Sequence, residues 1–382
     1  MKKTIGIVYN QNFNEESFDI GCGGSEAWVI QIAKKFSQNG YHVIVFNNRE
    51  NWYFSKHNVE YVPLPLLEYR CSYQNFEAII FTRSLDETYE VVVRSGCTNK
   101  LYLQSHDPFV WEGGIYNKRF LWEEDRVNYS KLTKFIALTE FHKKELMDNN
   151  HIPEDMIEII GNGLDSDIYD SIHNVPENLN NIDEHSILWT SAFGRGGDIL
   201  VEDILPIIQK TDPNFKVHIC GYGDGVPEHI KENPSVKFLG TLTKKDYYRE
   251  FYSHFCWFLP GVVVEEFGIC AAEAMMCNCD VISPYCHGMA NVLWPFVNTK
   301  MENKFGEATY GTYHFGTYHI DKESKEYKKA CAEAARLILE SRDKYYDKDR
   351  IRFRISQKTF VKREYTWQKV VVKWIKLFNE SL

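Results

Sequence analysis

The feature that most constrains this chain is an alternation of short β-branched runs with helical stretches, which occurs twice, on either side of a polar interval. "KTIGIVYN" (3–10) reads as a buried strand. In "GCGGSEAWVIQIAKKFSQNG", Ala27, Ile30, Ile32, Ala33 and Phe36 form a helical apolar stripe that Gly40 ends, and "YHVIVFNN" (41–48) is the next strand. That βαβ unit predicts a doubly wound parallel sheet. Further strands are expected at 77–83, 100–107, 134–140 and 156–163. The polar stretch 165–186 reads as a linker, after which strands return at 187–193, 215–223, 236–240, 255–260 and 279–284. Two α/β domains follow, 1–180 and 185–357, with ligands expected at strand C-termini in a cleft between them. A helix over 360–378, with Val370, Val371, Trp374 and Leu377 at helical spacing, completes the chain.

Charge and cysteine usage narrow the functional class. The net charge is −9, yet residues 321–382 hold 17 Lys and Arg against 10 Asp and Glu. The acidic remainder argues against nucleic acid as a partner. The basic tail suits a solvated helix face or peripheral contact with an anionic membrane. "MKKTIGIVYNQNF" has an apolar run of about four residues, below the ~7 of a secretion signal, and no stretch approaches the ~20 needed to span a bilayer. Ten irregularly spaced cysteines then suggest reduced thiols in a cytoplasm. Cys277, Cys279, Cys286 and His287 lack the usual C-x(2–4)-C spacing of a zinc site, so no metal is expected there.

The chemistry concentrates in "WFLPGVVVEEFGICAAEAMMCNCDVISP" (257–284). Glu273 lies in a helix that is otherwise small and apolar, where an unpaired carboxylate costs several kcal/mol. Either a protein base or a ligand must pair with it, and a ribose diol can donate to both oxygens of one carboxylate. Glu265 and Glu266 precede the same helix, where acids favour the dipole and backbone N–H groups bind anions or hydroxyls. Gly268 permits close approach of a ligand to the backbone. Arg195, among the glycines of "SAFGRGGD", follows a strand and can fork onto a phosphate, with Gly196 and Gly197 adding backbone donors. Gly23 and Gly24 open the first helix, and Gly221 begins "GYGDG". Neither loop is a G-x-G-x-x-G fingerprint, which disfavours a nicotinamide dehydrogenase. His106 and Asp107 end one strand and Arg83 another, the positions of a candidate acid/base and acceptor contacts.

"EEFGICAAE" is an E-x(7)-E motif, and its surroundings closely resemble the family-4 retaining glycosyltransferases. Four further segments carry the resemblance along nearly the whole chain: the opening strand–GG loop–helix, "NGLD" (162–165), "SAFGRGGD", and "REYTW" before a terminal helix. The resemblance implies a GT-B fold of two Rossmann-like domains, with the terminal segment 360–382 returning to the first. It implies that Glu273 holds the ribose of a nucleotide sugar, UDP- or GDP-linked, and that Glu265 faces the transferred sugar. Phe267, Gly268 and Ile269 would offer backbone donors, and a His in the region of His106 would lie near the sugar. It further implies transfer with retention to a glycan, lipid-linked or other hydroxyl acceptor, without a covalent nucleophile, cofactor or dedicated metal. Two departures stand out: Glu266 replaces the usual Gly, and no Lys follows Arg195 before Lys210. A nucleotide-sugar epimerase or hydrolase of the same fold, and a binding module without catalysis, stay open as alternatives.

Overall fold

The computed structural model describes residues 2–110, 131–173, 182–221, 225–283, 287–297 and 321–380. The chain divides into two compact units. One comprises Met1–Phe18, Cys22–Gly163 and Tyr365–Leu382; the other comprises Leu164–Glu364 with Asp19–Gly21.

The first unit is built on an eight-stranded sheet. Its strands are β1 (Thr4–Tyr9), β2 (His42–Asn47), β3 (Tyr53–Phe54), β4 (Val59–Pro63), β5 (Ala78–Arg83), β6 (Leu101–Ser105), β7 (Lys134–Ala137) and β8 (Ile157–Ile159), in the order β3-β4-β2-β1-β5-β6-β7-β8. All neighbours run parallel except β3, which pairs antiparallel with β4 at the edge. The central strands are buried along their length, as expected for a parallel sheet with helices on both faces. The order reverses at β1, so the C-terminal ends of β1 and β5 form the topological switch point, with β6 next to it.

The second unit repeats the plan with β9 (Ser186–Trp189), β10 (Lys216–Cys220), β11 (Val236–Gly240), β12 (Cys256–Phe258) and β13 (Asp280–Ile282), all parallel, in the order β11-β10-β9-β12-β13. Its switch point is the end of β9 beside β12.

Three boundaries differ from the sequence reading. The stretch taken as a linker begins with a helix, Ser166–His173, whose Tyr169 and Ile172 are buried, and the division between units falls at Gly163/Leu164. Tyr169 and His173 pack on Tyr252 of the second unit, which holds that helix there. The terminal helix is two helices, Lys348–Glu364 and Trp367–Glu380, broken at Tyr365–Thr366. Only the latter belongs to the first unit, where Trp374 packs edge-on against Trp28 and Tyr102 at 6.0 and 5.6 Å. Two stretches singled out in the sequence meet here: a side chain at Gly163 would strike the Trp367 backbone within 2.7 Å, so "NGLD" and "REYTW" fit because one has no Cβ.

The basic C-terminal segment is partly internal. Arg350, 1 % exposed, donates to Asp280 at 2.9 Å, and Ser341 donates to the same carboxylate at 2.6 Å. No described helix is long and apolar enough to cross a membrane.

Candidate functional site

The residues singled out in the second unit come together at the C-terminal ends of β9 and β12. Arg195 lies in a short turn after β9 and forms an ion pair with Glu265, from the loop after β12. The Arg195 side chain is 41 % exposed; Glu265 is mostly covered, and burial raises its pKa despite the guanidinium beside it. Gly196 packs its Cα face on Pro260, which presses the Arg195 turn onto the β12 loop.

The acidic loop is fixed from below by a residue that the sequence reading passed over. Gly288 donates its N–H to the Glu265 carbonyl at 2.7 Å, and a Cβ there would sit 1.9 Å from the Glu266 carbonyl oxygen. Glu266 itself is buried. Gly268 has φ +78° and lies against Met289, so both its backbone conformation and its surroundings require glycine. It caps the helix Ile269–Met276, whose first backbone bond runs from Ala271 N–H to the Gly268 carbonyl. The N–H groups of Ile269 and Cys270 precede that bond at the helix's positive end. Phe267 is buried beneath.

Glu273 resolves the question its sequence raised: a protein base pairs with it. Lys244 binds Oε1, Tyr248 donates to Oε1 at 3.1 Å, and Tyr247 donates to Oε2 at 2.9 Å. The Lys244 ammonium also lies over both phenol rings, 4.5 and 5.0 Å from their centroids. Burial holds both tyrosine hydroxyls far above their usual pKa, so they remain donors. Glu273 is 2 % exposed. Of the two pairings the sequence left open, a protein base or a ligand, this cage supplies the first and satisfies the carboxylate within the unit. Likewise the Arg195 guanidinium, expected to wait for a phosphate, is held by Glu265. None of the three cage residues was singled out from sequence. Their one local signal is Thr243, whose hydroxyl accepts from Asp246 N–H and starts the helix Lys244–Ser253 that carries them.

In the first unit the structure redistributes roles. Arg83, with φ 77°, donates from Nε to the Asp107 carboxylate at 2.5 Å. The Asp107 carboxylate serves Arg83, and its carbonyl faces His142 Nε2 at 3.0 Å. Because His142 Nδ1 accepts from the Leu138 N–H, the ring proton is on Nε2 and donates to that carbonyl. His106 packs edge-on to Trp28 at 5.7 Å, and its Nε2 is shielded with no hydrogen-bond partner among the described residues. Burial, with His142 and Arg83 nearby, pushes its pKa down to about 3. A ring so reluctant to protonate is a neutral donor or acceptor at pH 7.

Gly23 is the N-cap of the helix Gly24–Gln38, as anticipated, but the Glu26 carboxylate folds back over it and accepts from the Tyr9 hydroxyl at 3.2 Å. An acid thus already lies over the glycine that caps the helix. Gly221 donates to the Gly240 carbonyl at 3.1 Å; Tyr222–Asp224 of its loop lie outside the described residues, as does Cys286.

Comparison with known proteins places this geometry. Residues 184–301, which hold Arg195, Lys244, Glu265 and Glu273, match the family model described as Glycosyl transferases group 1. Among curated proteins none matches the sequence. A glycosyltransferase from Rickettsia africae superposes with a TM-score of 0.72 at 16 % identity, covering 100 % of this chain and 98 % of that one. Sucrose-phosphate synthase from Thermosynechococcus elongatus gives 0.68 at 14 %, covering 99 % of each. Anabaena HepE, in complex with UDP and glucose, gives 0.64 at 14 %, covering 99 % and 100 %. The fold is GT-B. The segment that matches the group 1 glycosyltransferase model is nearly a third of the chain, and it contains the two ion pairs.

Proposed function

We propose that the protein is a retaining glycosyltransferase that moves a sugar from a nucleotide-sugar donor, UDP- or GDP-linked, to a hydroxyl of a glycan or lipid-linked acceptor. One observation carries this reading. Arg195, Glu265 and the Gly268 helix start converge at one strand-end switch point, within the segment that matches the glycosyltransferase family model. The solved HepE complexes with UDP, glucose and UDP-glucose support the donor class.

The two ion pairs are the ligand-free arrangement in this proposal. A donor exchanges partners: its diphosphate takes the Arg195 guanidinium, which leaves Glu265 beside the sugar hydroxyls. The ribose takes up Glu273 as Lys244 swings aside. Positive charge and helix-end N–H groups then face the leaving diphosphate, where charge develops as the glycosidic bond breaks. Lys244 supplies the second cation that the "RGGD" loop lacks. No side chain is asked to form a covalent intermediate, and no cofactor takes part. The acceptor lies on the first unit near Arg83, His106 and Asp107, with neutral His106 offering a hydrogen bond rather than a proton. The setting is cytoplasmic, with peripheral contact at a membrane surface through the basic terminal helices.

Incubation with UDP-, GDP- and ADP-sugars and an acceptor panel, followed by NMR of the product anomer, tests the reading. Retention is expected, with kcat falling at least ~100-fold in Arg195→Ala. An inverted product, or donor consumption that no acceptor accelerates, contradicts it. The pairing of both anchors within the protein favours one second reading, a module that binds nucleotide sugars without turnover. Donor binding by calorimetry with no product would select it.

A further inference from the structure

A second constellation lies in the same unit, away from the groups above. Arg195 and Glu265 follow the C-terminal ends of β9 and β12, whereas His254 stands just before the N-terminal end of β12. His254 is 1 % exposed, and His218, on β10, is also buried. Their rings meet with His254 Nε2 and His218 Nδ1 2.8 Å apart. Glu250 lies one helical turn before His254, and one ligand atom from each of the three lies within 4.8 Å of the others.

We propose that His218, His254 and Glu250 bind a divalent transition-metal ion of the zinc class, in a structural site outside the transfer chemistry. Three observations carry this. First, the donor set is right: two imidazoles and a carboxylate are zinc ligands, with a water completing a tetrahedron. Second, His254 is already oriented as a ligand. Its Nδ1 is 2.6 Å from the Glu250 main-chain carbonyl, an acceptor only, so Nδ1 carries the proton and Nε2 presents its lone pair. Third, a further carboxylate stands near the rings. Asp183, held by the Ser186 hydroxyl and the His185 N–H, lies within electrostatic reach of both, opposed at His218 by Lys216 and by Lys237, which faces it in the β10–β11 register. Burial keeps both imidazoles neutral, with pKa values pushed down to about 4, which is the metal-competent form.

In the metal-free protein the His218 Nδ1 proton donates to His254 Nε2. Binding moves that proton to His218 Nε2, and the metal takes its place between the rings. Bonds of about 2.0–2.2 Å require the two nitrogens to separate to about 3.3 Å and the Glu250 side chain to rotate inward. The ion would tie β10 to the junction of the Lys244–Ser253 helix with β12. That helix carries the three residues that cage Glu273, so the metal would stiffen the cage without touching it.

The test uses the full chain, free of any histidine tag, loaded with Zn2+ and passed over chelating resin. Elemental analysis should find about one zinc per chain, Tm should rise with added Zn2+ and fall with EDTA, and Co2+ should give the visible absorption of a tetrahedral site. Glu250→Gln and His218→Asn, chosen because His254 is the ring whose loss most endangers folding, should each weaken retention at least ~10-fold with an unchanged circular-dichroism spectrum. Retention below about 0.1 equivalent by the wild type, or equal retention by wild type and both variants, overturns the proposal.

Discussion

The strand-end clusters of the two units use the same materials and treat them differently. In the first, Arg83 and Asp107 pair with side chains 47 % and 40 % exposed. In the second, Glu273 and Lys244 pair with side chains 3 % and 22 % exposed, and two tyrosine hydroxyls complete the carboxylate's shell. An exposed pair gives up its partner at almost no cost, because water and salt screen it. A sealed pair resists, because either charge left alone in the interior is expensive. The first cluster is suited to a variable ligand that re-sorts weak contacts; the second is suited to one fixed ligand shape. Under the proposed function those are the demands of an acceptor and of a nucleotide.

The largest effect expected of either region is acid lability, which the two units share. Each holds a pair of imidazoles with depressed pKa values, His106 with His142 and His218 with His254. A histidine that is neutral when folded binds its proton only on unfolding, so stability is full above pH ~6.5 and is lost as pH falls toward the folded value. Each ring adds a slope of about 1.4 kcal/mol per pH unit in that window. Glu250 and Glu265, whose pKa values burial raises, work in the opposite sense and offset part of it. Chemical denaturation between pH 7 and 5 should show steep loss, reduced in both His142→Gln and His218→Asn. A curve flat over that range would mean that the rings are not sealed in either unit.

Next comes the contrast itself. Glu273→Ala leaves Lys244 and two hydroxyls facing a void and should cost about 3 kcal/mol of stability, read as a lower denaturation midpoint at unchanged slope. Arg83→Ala should cost less than about 0.5 kcal/mol, so its effect on acceptor KM stands out against unaltered stability. Equal costs for the two variants would break the comparison.

Much of this architecture was legible in the sequence. The β-branched runs marked the long strands because a parallel sheet buried on both faces has no other way to be written. The Ser166–His173 helix was missed because only Tyr169 and Ile172 turn inward, and five polar neighbours hide a two-residue stripe. The break at Tyr365–Thr366 was missed because apolar spacing continues across it. Of the site, Arg195, Glu265, Gly268 and Glu273 lie within motifs and were found. Lys244, Tyr247 and Tyr248 lie 25–29 residues from their partner, with no periodicity to join them. Gly288 announces itself only through a carbonyl that it must let pass.

The central claim is that Arg195 leaves Glu265 for the diphosphate of a nucleotide. Isothermal titration of the wild type and Arg195→Ala with UDP, GDP and ADP tests it most directly. The account predicts saturable binding of at least one by the wild type, weakened at least ~10-fold in the variant, with Glu265→Gln binding as well as the wild type or better because its guanidinium is already released. Equal affinity in wild type and Arg195→Ala, or no binding of any nucleoside diphosphate, would contradict it.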